Sequence, residues 1–163
     1  MGFASHLGPW LLGTVKNTTG TTAGSIRNMG AAPVAQVGTL SYTDTSAKTL
    51  FVLPAGALIL NFLVDTTVAF NATTNNVITI QNSAGTSLAT VTATSANITV
   101  GRATTTYAIT NANIATWDNV GSTDMIVQAV FAGTGTAAST GTANIICLYV
   151  VRDTDGSANP SQV

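Results

Sequence analysis

Apolar and polar side chains alternate along most of this chain, and no stretch shows a convincing 3.6-residue helical spacing. The clearest case is residues 88–93, where Ala89, Val91 and Ala93 alternate with Thr90 and Thr92. Successive strand side chains point to opposite faces, so this pattern predicts a strand with one dry and one wet face. Further strands are predicted over residues 40–42, 49–53, 58–64, 77–81, 97–100, 105–110, 125–131 and 144–151. Residues 58–64, 125–131 and 144–151 are apolar on both faces, as expected of central strands in a two-layer protein. Asn82-Ser83-Ala84-Gly85 reads as a hairpin turn between two strands. Pro54-Ala55-Gly56 fits a type I turn, and only residues 112–117 suit a short helical turn.

Eight or more short strands at close spacing predict an all-β fold, an antiparallel two-sheet sandwich of jelly-roll type. Its core is expected to hold Leu60, Phe62, Ile78, Ile80, Val91, Ile109, Val127, Phe131, Ile145 and Tyr149. Three parts are expected: an extended N-terminal arm over residues 1–32, the sandwich over 33–152, and a polar tail over 153–163. The arm has no period of either kind, so its large apolar side chains Phe3, Leu7, Trp10, Leu11 and Leu12 have no sheet face to join. They are the candidate partner-binding residues, because such groups gain nothing from staying in water.

Composition narrows the function. The 163 residues include 30 Thr, 24 Ala and 15 Gly but only 7% charged residues, with six Asp and no Glu, for a net charge of −1. Five cations cannot build the basic stripe that neutralises phosphates, so no nucleic-acid partner is expected. The longest apolar stretch, residues 50–64, is broken by Pro54, Gly56 and Asn61, so no membrane span is expected. The single Cys147 cannot form an internal disulfide and reads as a buried, unreactive thiol in mid-strand.

Candidate chemistry is sparse. A Ser-His-Asp triad would rest on His6, inside the arm, where nothing holds it against a nucleophile. One His and one Cys do not make a zinc set, and Asp153-Thr154-Asp155-Gly156 lacks the later ligands of a calcium loop. Asp65, Asp118 and Asp124 are the remaining carboxylates for a glycosidase pair, with no pattern that joins them. Trp10, Trp117 and the tyrosines are scattered, which favours packing over a sugar platform. No catalytic residue, metal site or cofactor is assigned. A near-neutral surface rich in Thr and Ala favours association, which suits a part of an assembly.

Two runs carry a resemblance. Val52-Leu53-Pro54-Ala55-Gly56-Ala57-Leu58-Ile59, followed by Val64-Asp65-Thr66-Thr67-Val68-Ala69-Phe70-Asn71, resembles a pattern in jelly-roll structural proteins of tailed bacteriophages. Val77-Ile78-Thr79-Ile80 and Ala143-Asn144-Ile145-Ile146-Cys147-Leu148-Tyr149-Val150 continue it. The opening Phe3-Ala4-Ser5-His6-Leu7-Gly8-Pro9-Trp10, with Ile26-Arg27-Asn28-Met29-Gly30-Ala31, is similar to small virion proteins of marine or cyanobacterial phages. The resemblance implies a subunit of the virion, at the capsid surface. It implies a capsid decoration (cement) protein, commonly a homotrimer, bound to the major capsid protein. The alternative it leaves is a receptor-binding or adhesion module of a head fibre or tail.

Overall fold

The structure, a computed structural model, describes residues 33–107 and 111–151. Nine strands follow in chain order: β1 (Pro33–Ser41), β2 (Lys48–Leu53), β3 (Ala57–Val68), β4 (Asn75–Asn82), β5 (Ser87–Thr94), β6 (Gly101–Ala103), β7 (Thr106–Tyr107), β8 (Met125–Thr134) and β9 (Thr142–Val151). A helix, α1 (Asn111–Asp118), lies between β7 and β8. One sheet has the order β1-β9-β3-β6 and the other β2-β8-β4-β5-β7, and all pairings are antiparallel. The first four strands alternate between the sheets, and the last two return beside the first two. This is the wrapped hairpin of a jelly roll, with β7 as an added edge strand. As their doubly apolar sequences predict, β3, β8 and β9 each have a strand on both sides.

The core fills the space between the sheets. Phe62, Ile78, Ile80, Val91, Val127, Phe131, Ile145 and Tyr149 are all buried there, as the alternation predicts. Ile109 lies outside the described residues. Leu60 is a correction: it is 47% exposed. The cause is a β-bulge, since the register of β3 on β9 shifts between Ile59 and Asn61 and leaves Leu60 without a partner. An extra residue reverses the parity of a strand. Before the bulge Ala57 and Ile59 point inward; after it Phe62, Val64 and Thr66 do.

Other local expectations shift by a residue or two. The turn at Pro54 closes with Ala57 N–H donating to Pro54 C=O (3.1 Å), which places Gly56 third, at φ 73°. That is the position where a type II turn demands a positive φ, in place of the type I turn expected. The hairpin at Asn82 holds as predicted: Gly85 N–H donates to Asn82 C=O, and the Asn82 side chain accepts from the Ala84 and Thr86 amides. The strand expected at residues 97–100 is reduced to one bridge, Ile98 to Phe70, and the ladder forms instead at Gly101–Ala103.

Cys147 is fully buried on β9, and burial pushes its thiol up to about 12 from an ordinary 9.0. The unfolded thiol loses its proton near 9 while the folded one keeps it, so the folded state binds the extra proton and stability falls as pH rises through this window. The expected loss by pH 11 is about 3 kcal/mol from this group. Urea midpoints between pH 8 and 11 should show that slope, and Cys147→Ala should flatten it. A slope of equal size in the variant would assign the effect to other groups.

Candidate interaction surface

The two sheets turn unlike faces to the outside, and the register shows how. On the four-stranded sheet Pro33, Val150 and Leu58 form one outward row, because Pro33 pairs with Val150 and Leu58 pairs with it from the other side. Ala35, Leu148 and Asn61 form the next, with the bulged Leu60 beside them. Val37, Ile146 and Leu63 form the third. Thr39, Asn144, Asp65 and Arg102 form the fourth, and there the aliphatic character ends. Among the large aliphatic side chains of these rows, Val37 and Leu60 are the most exposed, at 59% and 47%. Three successive rows therefore carry no charge.

The five-stranded sheet is different. Its outward positions include Thr49 and Gln128 on one pairing, Gln81 and Gln128 on the next, and Thr79 and Thr90 further on. Thr92, Thr94 and Thr134 continue the face, Val77, Val130 and Ala132 stand among them on the central strands, and Val52 with Ile126 forms an apolar pair at one end. A threonine face is β-branched, as strands prefer, yet holds a hydroxyl toward water. Hydroxyl and amide side chains thus stand in most rows of this face, whereas three successive rows of the other are mainly aliphatic.

The two first strands meet along one side of the sandwich. Gln36 Nε2 on β1 donates to Val52 C=O on β2 (3.0 Å) and to the Tyr149 hydroxyl (2.9 Å). Gly38 lies directly against Leu50, leaving no room for a Cβ. Pro33, where β1 begins, pairs with Val150 in the first aliphatic row. Residues 1–32 join the sandwich at that row. The candidate residues Phe3, Leu7, Trp10, Leu11 and Leu12 lie outside the described residues, as does the 153–163 tail.

The carboxylates considered for catalysis are dispersed to other work. Asp124 Oδ1 accepts the Ala55 amide at the Pro54 turn (3.0 Å). Asp65 stands in the fourth row of the aliphatic face, and Asp118 ends α1. Asp44 pairs with Lys48 (2.9 Å), the one ion pair among the described residues. No group of three or more His, Cys or Asp capable of holding a metal occurs among the described residues. Trp117 packs edge-on against Phe62 and Tyr107, with ring centroids 5.5 and 5.2 Å apart, so it serves packing and not an open sugar platform. The Asn71 amide is also engaged, donating to Ser139 Oγ and accepting from the Ser139 and Thr140 amides. The aliphatic face escaped sequence reasoning because its rows come from three strands far apart in the chain. The one available signal was the apolar outward set of the 144–151 strand.

No protein-family model matches the chain, and no curated protein matches it. Among solved structures it is similar to a chain of the acidic stable capsid structure of Helicobacter pylori bacteriophage KHP30, at 11% identity and a TM-score of 0.48. That match covers 74% of this chain and 89% of the other. It is also similar to a chain of the cyanophage Pam1 capsid asymmetric unit, at 15% identity and a TM-score of 0.47, covering 76% and 87%.

Proposed function

We propose that this chain is a structural protein of a bacteriophage virion, a decoration (cement) subunit that sits on the capsid surface. It binds and stabilises the shell of major capsid protein, and it does so as a homotrimer. The observation that carries this reading is the sandwich's charge-poor exterior, with a single ion pair among the described residues and three successive uncharged, mainly aliphatic rows on one outer face. Such a surface packs against neighbours with little desolvation cost and offers little to repel them. The number three comes from the sequence resemblance alone. Residues 1–32 act as a clamp on the shell, with Phe3, Leu7, Trp10, Leu11 and Leu12 as its anchors. Burying each large apolar side chain recovers roughly 1.5–3 kcal/mol, against about 1–2 kcal/mol per residue for ordering the backbone. Anchors must therefore be few and well buried, and Trp10 is the best of them by size. The reading assigns no catalytic residue.

The test uses shells assembled from the major capsid protein without this chain. The full chain should bind with on the order of hundreds of copies per shell, as a subunit repeated with the lattice must. Removing residues 1–32 should abolish binding and leave the oligomer intact in light scattering. Loss of the oligomer itself would assign the segment to contacts between copies. A copy number on the order of ten in purified virions would favour the tail or fibre adhesin.

A further inference from the structure

We infer that the aliphatic outer face of the four-stranded sheet is the side on which the sandwich rests on the capsid shell, with the threonine face turned to solvent. This inference rests on the decoration reading above and adds the orientation of the subunit. The partner it fits is an uncharged, apolar patch of a shell subunit, because three rows around Val37, Leu60, Ile146 and Leu148 carry no charge to pair.

Two observations select the shell over a second copy of this chain. The first is area. The uncharged rows span three strands spaced at about 4.8 Å and three row steps of about 6.6 Å, a footprint near 14 by 20 Å, or about 280 Å² per partner. A stable one-to-one complex of standard size buries about 800 Å² per partner. The face alone is therefore too small to hold an isolated pair of copies, yet large enough when several copies dock together or a second contact assists. The second is where the remaining chain attaches. The 32 residues before Pro33 enter at the first row of this face. An extended chain spans up to about 3.3–3.6 Å per residue. A clamp that starts at this row and reaches along the shell keeps the face against it, and the two contacts then reinforce each other through effective concentration.

The experiment compares paired substitutions on the two faces, in the full chain, for binding to shells assembled from the major capsid protein alone. Leu60→Thr with Leu148→Thr alters the aliphatic face, and Val52→Thr with Ile126→Thr alters the other; threonine keeps the strand preference in both. Leu60→Lys alone, at the bulge and away from the core, is the variant least able to disturb folding. Both aliphatic-face variants should bind at least tenfold more weakly with an unchanged oligomeric state, while the control pair binds within twofold of the parent. Parent-like binding by the Leu60 variants overturns the inference and leaves the decoration reading standing. Absence of binding by the parent chain overturns both. Dissociation of the oligomer by Leu60→Lys would assign the face to a second copy. A rise in hydrophobic-dye binding when residues 1–32 are removed would assign it to the chain's own segment. Either of these last results also overturns the inference.

Discussion

Asn76→Asp should lower the stability of this protein by about 4 kcal/mol, although it exchanges a single NH2 for an oxygen. Asn76 is fully buried at the start of β4, one of two buried polar side chains among the described residues. Its Nδ2 donates to Ala72 C=O and to Ala96 C=O, both at 2.9 Å, and its Oδ1 accepts the Ala72 amide at 3.0 Å. One side chain thus ties the segment before β4 to the segment after β5, at the end of the sandwich where both chains leave the sheet. The carboxylate loses both donors and points one oxygen at two carbonyls. A buried acceptor left unpaired costs about 1–3 kcal/mol, and an unpaired buried charge costs more. For a chain of this size the expected fall in Tm is on the order of 12 °C. The introduced carboxyl escapes part of the penalty by holding a proton, so its folded-state pKa rises. The deficit should then be smallest below about pH 4, where the unfolded carboxyl is protonated too, and should grow as pH rises above that. Thermal melts at pH 3.5 and pH 7 check both the size and the sign. A change below 1 kcal/mol at pH 7 would mean that the bridge between the two segments is not held by this amide.

Nothing in the sequence marked Asn76 as structural, and the reason is physical. Asparagine is common in this chain, with 13 occurrences, and it serves turns as readily as cores. Only the meeting of residues 72, 76 and 96 in space distinguishes this one. The same holds for Leu60. Its neighbours predict the strand correctly, but a bulge adds one residue without changing any side-chain type, and every inward position beyond it moves by one. Where alternation was strict and turn chemistry explicit, reading was direct. Val91 lies inward with Thr92 outward, and the turn from Asn82 to Gly85 forms as expected. The region after β5 was legible only in part. Its Thr-rich sequence satisfies either face, so alternation there does not say which residues pair. The short helix was legible as a turn, and α1 extends it to Asn111–Asp118.

The interaction surface follows the same division. Apolar outward positions on β9 are visible in the sequence as a run without polar relief: Ile146, Leu148 and Val150. That run was read as the mark of a central strand, and β9 is central, between β1 and β3. The pairing adds what the run could not tell: only one side of β9 faces the core, while the other joins Val37, Leu58 and Leu63 on the exterior. A doubly apolar strand in a two-layer protein therefore signals either a third layer or a surface meant for a partner. Here the partner reading connects the strand pattern to the proposed role on a shell.

Gly141→Ala is the second substitution expected to act strongly, at about 4 kcal/mol, and two mechanisms add at this position. Gly141 precedes β9 with φ 148°, a backbone conformation that side chains other than glycine rarely adopt. Such strain costs of order 1–3 kcal/mol. A Cβ there would also run into the ring of Phe70, which is fully buried and packs against Phe131 with centroids 4.7 Å apart. Overpacking of this kind costs typically 1–3 kcal/mol. The ring cannot retreat easily, since Phe131 lies behind it and the Phe70 amide is held by Ile98 C=O (3.1 Å). A double-mutant cycle separates the two contributions. Phe70→Leu alone should cost about 1–2 kcal/mol through lost contact. On that background Gly141→Ala should cost only about 2 kcal/mol, because the smaller side chain relieves the clash and leaves the backbone strain. Urea unfolding of the four proteins measures the coupling. If the two substitutions add fully, the clash contributes nothing and the backbone alone requires glycine; if the double variant matches Phe70→Leu, the ring contact was the whole effect. The expected result lies between, with a coupling of about 2 kcal/mol.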